Sequence, residues 1–184
     1  MRPIAAVARL PLREAPVQSD PANAYTRIPN LHKVLANAPD VLAGWRMLAG
    51  ALRDVPPSER TLLELAILRV AYLRRSEYVW KNHARAAGLL GLAADKLRAV
   101  SSASGVDERL SAGEWTYVQL ADQITLTGGI DDDLWHTLLG IATVEQAVRA
   151  TATVGVYIAA CAIAQTLCVP AESDTADVEE RWHD

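Results

Sequence analysis

Glu64 is the residue whose type fits its surroundings least. It stands between Leu62, Leu63, Leu65 and Ala66 in the most apolar stretch of the sequence. A carboxylate taken out of water without a partner costs several kcal/mol or shifts its pKa upward. His83 has Trp80 one turn before it and Ala87 one turn after, which puts it on the inward stripe of its own segment. A carboxylate and an imidazole make a workable proton-transfer couple, because histidine side chains titrate near neutrality. Each residue also has a plainer reading. Glu64 pairs with Arg60 on the helix surface, a contact worth roughly a few tenths of a kcal/mol. His83 is then a hydrogen-bonded core histidine.

The elements around them decide whether the two can meet. Residues 60–74 are apolar nearly all round, as expected of a central helix. Pro56-Pro57 breaks the chain before it, and Ser58 is placed to cap it. Ser76 reads as the N-cap of a helix over 77–87, with Gly88 as its stop and Glu77–Lys81 as an outer i,i+4 pair. Between the two helices lies only the corner Arg74-Arg75-Ser76. Glu64 is 11 residues before Arg75 and His83 is 8 after it. At 1.5 Å per residue the axial offsets are roughly 16 and 12 Å, so an antiparallel hairpin brings the pair within reach.

The rest of the chain is also helical in pattern. Val41, Leu42, Trp45, Leu48 and Leu52 mark a helix over 40–53, and a short one follows over 93–100. Two capping boxes, Ser111 with Glu114 and Thr143 with Gln146, open helices over 112–127 and 144–167. Gly128-Gly129 and Asp131 precede another over 132–140. Strand signals are weak throughout. The expected architecture is all-α with six to eight helices. It comprises an extended N-terminal arm over 1–24, a helical domain over 25–171 and a loosely ordered charged tail over 172–184.

With 184 residues, 51% of them apolar, and a formal charge of −4, the sequence describes one globular domain. It has no basic field to hold a phosphate backbone, so nucleic acid is not an expected partner. Cys161 and Cys168 lie two helical turns apart, about 10 Å, too far for a disulfide on one helix. They read as buried thiols in a reducing, cytoplasmic setting. Arg9 and Arg13 interrupt the N-terminus before a signal-peptide core develops. Residues 150–171 carry no charge, but their Ala, Thr and Gln content favours a buried bundle helix over a membrane span. No zinc spacing, Gly-rich phosphate loop or Gly-x-Ser-x-Gly elbow occurs. Asp131-Asp132-Asp133 ahead of His136 reads as the acidic start of a helix rather than a metal site. His32 and His183 have no evident chemical neighbour.

Glu64, then Ser76-Glu77-Tyr78-Val79-Trp80-Lys81-Asn82-His83 and Ala87-Gly88-Leu89, resembles the core motif of the carboxymuconolactone decarboxylase and AhpD-like superfamily. The likeness runs from about Tyr25 to Val169. It includes Ile28-Pro29-Asn30, Ala38-Pro39 and Trp45 before the motif, and Glu114, Ala121 through Thr125, Trp135, Gly155 and Tyr157 after it. The resemblance implies an all-helical unit assembled as a homo-trimer or homo-hexamer, with sites near subunit interfaces. In the peroxidase branch a Cys-x-x-Cys precedes the histidine. Here Ser76 and Val79 hold those positions. Neither supplies a thiolate or a resolving thiol, so a thiol peroxidase is not expected.

What remains implies a decarboxylase-like enzyme that needs no metal and no organic cofactor and acts on a small carbonyl or lactone acid. In that reading His83 is the general acid or base, and Glu64 orients it. Tyr78 donates to an enolate oxygen. Tyr78, Trp80 and Trp45 line an apolar pocket, and Arg74 or Arg69 anchors a substrate carboxylate. The alternatives are an isomerase, dehydratase or cyclase of secondary metabolism on the same scaffold, and a non-catalytic oligomeric binding protein.

Overall fold

In a computed structural model of the protein, which describes residues 8–15, 28–102, 107–175 and 178, the central element is the apolar helix that carries Glu64. Eight α-helices are described: α1 (Asn30–Leu35), α2 (Pro39–Arg53), α3 (Pro57–Leu73), α4 (Glu77–Leu89), α5 (Ala94–Val100), α6 (Ala112–Thr127), α7 (Asp132–Ile141) and α8 (Val144–Thr166). No strand occurs among the described residues. Helix α3 packs against α4, α5, α6 and α8, so every one of its faces is covered. Leu65, Leu68, Val70 and Ala71 are fully buried there. The alanines of α8 at 147, 150, 160 and 164 present little bulk and let that helix lie close against the core. The same packing accounts for the uncharged run: α8 is long and apolar enough to cross a membrane, and its inner face lies in this bundle.

The turn between α3 and α4 fixes where Glu64 and His83 come to lie. Arg75 adopts a left-handed backbone with φ 50°, unusual for a residue with a side chain. The Ser76 amide bonds back to the Ala71 carbonyl at 2.9 Å and the Arg75 amide to Tyr72 at 3.0 Å, closing the end of α3 as a Schellman turn. From α8, Gln165 Nε2 donates to the Arg74 and Arg75 carbonyls at 2.7 and 3.0 Å. The corner is therefore held from outside as well as by its own backbone.

Several local expectations shift. Helix α3 begins at Pro57 with Pro56 as N-cap, so Ser58 is an exposed first-turn residue and caps nothing. Ser76 takes the N-cap position of α4, but its side chain makes no capping bond. That helix runs past Gly88 to Leu89, and Gly91, at φ 82°, supplies the left-handed turn. Both capping boxes form as expected. Helix α1 has no counterpart in the sequence reading.

The two ends also differ from expectation. The described part of the arm is pinned: the Arg9 amide donates to Leu167 and the Arg13 amide to Lys33, at 3.0 and 3.1 Å. The first residues assigned to a loose tail are ordered instead. Glu172 and Thr175 are 4% and 0% exposed, Ser173–Thr175 form a 3-10 turn, and Asp174 pairs with Arg85 at 3.4 Å. The remainder of the arm, and the tail at 176–177 and 179–184 with His183, lie outside the described residues.

Candidate active site

Glu64 is fully buried, and each of its oxygens has a separate task. Oε1 accepts from Arg60 Nε and Nη2 at 2.9 and 2.6 Å. Oε2 meets His83 Nδ1 at 2.7 Å. The helical pair and the cross-hairpin pair, which spacing alone leaves as alternatives, therefore exist together. Burial pushes the Glu64 carboxyl up, but the charge and hydrogen bond of His83, followed by those of Arg60, outweigh it and leave it below its ordinary value. Glu64 is consequently an anion inside the protein. An ionised carboxylate only accepts, so Nδ1 of His83 carries hydrogen and Nε2 is the nitrogen left for other chemistry.

His83 lines a cavity of about 60 Å³ between α1, α2, α4 and α8. The α4 contribution is a single face, with Tyr78, Val79 and Asn82 beside His83. From α8, Tyr157 meets the imidazole edge to face, with ring centroids 4.6 Å apart and planes at 85°. From α2 come Trp45, Ala49 and Arg53, spaced four apart on one stripe, and from α1 come Leu31 and His32. Burial, then the nearby charges of Arg46 and Arg53, pull the His32 pKa down to about 4, so its ring is neutral at physiological pH.

Of the other residues proposed from sequence, Trp45 lines this cavity and Tyr78 does so with its ring. The Tyr78 hydroxyl is already engaged: it donates to Glu172 Oε1 at 3.0 Å and accepts from the Leu31 amide at 3.0 Å. Its one proton is thus directed away from the role of enolate donor. Trp80, although next to the cavity-lining Val79, is 1% exposed in the core and does not line this cavity. Arg69 is spent on the scaffold. Its guanidinium holds Asp122 through Nε at 2.5 Å and Nη2 at 3.2 Å, and its Nη1 holds the Val100 and Ser102 carbonyls. Arg74 lies exposed at the hairpin corner. Neither arginine lines the cavity.

The sequence reading gave no site role to His32, Arg53 or Tyr157, all of which line the cavity. Arg53 had a signal, since it follows Trp45 and Ala49 at four-residue intervals. His32 had none, because α1 itself was not recognised. Neither thiol lines the cavity, and burial pushes the Cys161 thiol up to about 11. Asp131 caps α7 by accepting from the Leu134 amide at 2.8 Å. Among the described residues, no three side chains of metal-binding type cluster.

No family model and no curated protein matches the sequence. Solved structures do match. A protein of unknown function from Agrobacterium tumefaciens, assigned to antioxidant defence as AhpD, superposes with a TM-score of 0.67 at 17% identity, over 75% of this chain and 94% of that one. An uncharacterised peroxidase-related protein from Silicibacter sp. TM1040 gives 0.72 at 14%, over 82% and 80%. The debrominase Bmp8, in complex with 2,3,4-tribromopyrrole, gives 0.68 at 12%, over 81% and 80%. The protein has the AhpD-like helical fold.

Proposed function

We propose that this protein is a soluble, cytoplasmic, cofactor-independent enzyme resembling carboxymuconolactone decarboxylase. In this reading it acts on a small carbonyl or lactone carboxylic acid by proton transfer through Glu64 and His83. One observation carries the proposal: a buried, ionised carboxylate 2.7 Å from an imidazole that lines a cavity. A histidine held only for packing does not need an anion to fix its tautomer at a cavity wall.

The steps follow from that geometry. The apolar walls around Tyr78, Trp45 and Val156 disfavour a leaving carboxylate relative to neutral carbon dioxide. The carbon–carbon bond breaks, its electron pair passes into the conjugated carbonyl, and an enolate forms. His83 in its protonated form then delivers the Nε2 proton to carbon, and Glu64 stabilises the imidazolium before that transfer. An isomerisation would use the same residues, with neutral Nε2 removing a proton first. The fold also carries a debrominase, Bmp8, that binds a small ring. That likeness supports a compact cyclic substrate without choosing the reaction.

We also propose assembly as a homo-trimer or homo-hexamer, a reading supported by the apolar side chains of Met47, Val144 and Val148, 76%, 65% and 60% exposed. The decisive experiment follows carbon-dioxide release from 4-carboxymuconolactone, with deuterium uptake from solvent as a second readout. Wild-type protein is expected to turn the lactone over, and His83→Gln is expected to be at least ~100-fold slower. An inert wild-type protein removes this substrate. Equal rates in both proteins remove the acid–base couple.

A further inference from the structure

Two tyrosines among the described residues line the cavity, and their hydroxyls are in opposite states. Tyr78 lends only its ring, because its hydroxyl donates to Glu172 Oε1 and accepts from the Leu31 amide. Tyr157, from α8, is 9% exposed, and its hydroxyl makes no hydrogen bond to any described residue. A tyrosine hydroxyl buried to this depth ordinarily finds a partner, because leaving it unpaired costs its desolvation. What this residue faces is the cavity. Its ring is fixed there without help from the oxygen: it stands edge to face on His83, with centroids 4.6 Å apart and planes at 85°. The phenol and the imidazole are therefore neighbours at one side of the same space. Burial, ahead of every nearby charge, pushes the Tyr157 phenol above its ordinary value, so at neutral pH it keeps its proton and can donate a hydrogen bond.

We infer that the Tyr157 hydroxyl is the donor that holds the carbonyl oxygen of the substrate, beside the His83 that serves the reacting carbon. The inference rests on the acid–base reading of this cavity and gives Tyr157 the part that the sequence had suggested for Tyr78. When the carbon–carbon bond breaks, its electron pair moves into the conjugated carbonyl and negative charge collects on that oxygen. A hydrogen bond to the growing anion is stronger than one to the neutral carbonyl, so it lowers the barrier instead of merely fixing the substrate. Tyr157 keeps its proton throughout, and the proton that reaches carbon comes from His83 Nε2. The ligand class this selects is a flat conjugated ring carrying an oxygen anion, an enolate or its stable likeness, a phenolate. The aromatic sides of Trp45 and Tyr78 suit such a ring.

The test titrates two probes of one outline, 4-nitrophenol and 4-nitroaniline, calorimetrically into the full chain in mildly alkaline solution, where the first is a phenolate and the second is uncharged. Wild-type protein is expected to bind the phenolate more tightly than the aniline. Tyr157→Phe, which removes a single oxygen, is expected to weaken the phenolate at least roughly tenfold and to leave the aniline within about twofold. Its Tm is expected to match that of wild type, because no hydrogen bond of the fold is lost. Binding of neither probe, equal affinity of the wild type for both, or a phenolate affinity that survives Tyr157→Phe overturns the assignment. So does an equal loss for the two probes, or a Tm well below wild type, which would make the hydroxyl part of the scaffold. Neither probe undergoes proton transfer at carbon. Turnover by His83→Gln decides the acid–base couple separately, so either reading can fail alone.

Discussion

Two of the three buried charges of helix α3, Arg69 and Glu64, end in opposite ways. Arg69 is 8% exposed, and its guanidinium is consumed by Asp122 and two backbone carbonyls. Glu64, a little more than one turn earlier, is 0% exposed and spends only one oxygen on the scaffold. The other oxygen goes to a side chain that borders open space. Burial alone therefore does not distinguish a structural charge from a chemical one. The distinction lies in the partner: Arg69 bonds to groups that can do nothing further, whereas Glu64 bonds to a ring with a second nitrogen.

The largest expected effect tests the structural half of this contrast. Arg69→Met leaves two carbonyls without their donor and Asp122 without its cation. It should cost about 3 kcal/mol, or about 6–12 °C in Tm by calorimetry. Phenolate binding in the cavity should persist in the fraction that remains folded. A loss below about 1 kcal/mol would show that Arg69 is not the clamp described.

On the chemical half, Glu64→Gln should lower turnover by at least ~100-fold, equivalent to about 2.7 kcal/mol in the barrier. The amide can still meet His83 and cannot stabilise its charged form. A kcat within a factor of about three of wild type would return Glu64 to the same class as Arg69.

Acid titration sharpens the comparison, because His32 at the cavity wall and Glu64 behind it respond in different windows. The folded-state pKa of His32 is lowered from 6.5 to about 4, so the unfolded chain binds more protons between those values. Stability should therefore fall as pH drops from 6.5 toward 4, by about 2 kcal/mol after discounting the ring's solvent-facing part. His32→Asn should flatten that slope in urea titrations. Glu64 acts lower. Its carboxyl lies below the ordinary 4.5, so its contribution is present above that value and is lost as pH falls through the folded pKa. A slope that survives His32→Asn would move its origin to another group.

The smallest effect concerns the tail. Glu172 Oε1 accepts from the Tyr78 hydroxyl and, at 2.6 Å, from the Asn30 amide. Tyr78→Phe should cost about 1 kcal/mol of stability. It should leave turnover within a few-fold of wild type, because the hydroxyl proton already faces Glu172. A loss of turnover as large as that of Glu64→Gln would instead make Tyr78 part of the chemistry.

How much of this was readable in one dimension depended on range. Ser111 and Thr143 announced α6 and α8 because a capping box closes within four residues. The Glu64–His83 contact was accessible because one short corner joins its two helices and helical rise is constant. Arg69 was misassigned because its partner Asp122 is 53 positions away and nothing local marks the pairing. Trp80 looked like pocket lining because aromatic type does not say whether an inward side chain meets the packed core or the cavity. The tail looked loose because Glu172 is satisfied by Tyr78, 94 positions earlier.

The amino-acid order alone thus determined helices α2 to α8, the α3–α4 turn and the proximity of an acid to an imidazole, all of which follow from hydrogen bonds and rises within a few turns. Only the folded chain decided that His32 and Arg53 share that imidazole's cavity and that Arg69 does not. Those choices depend on which distant helices bury each other's apolar faces, and that packing free energy is not written at any single position.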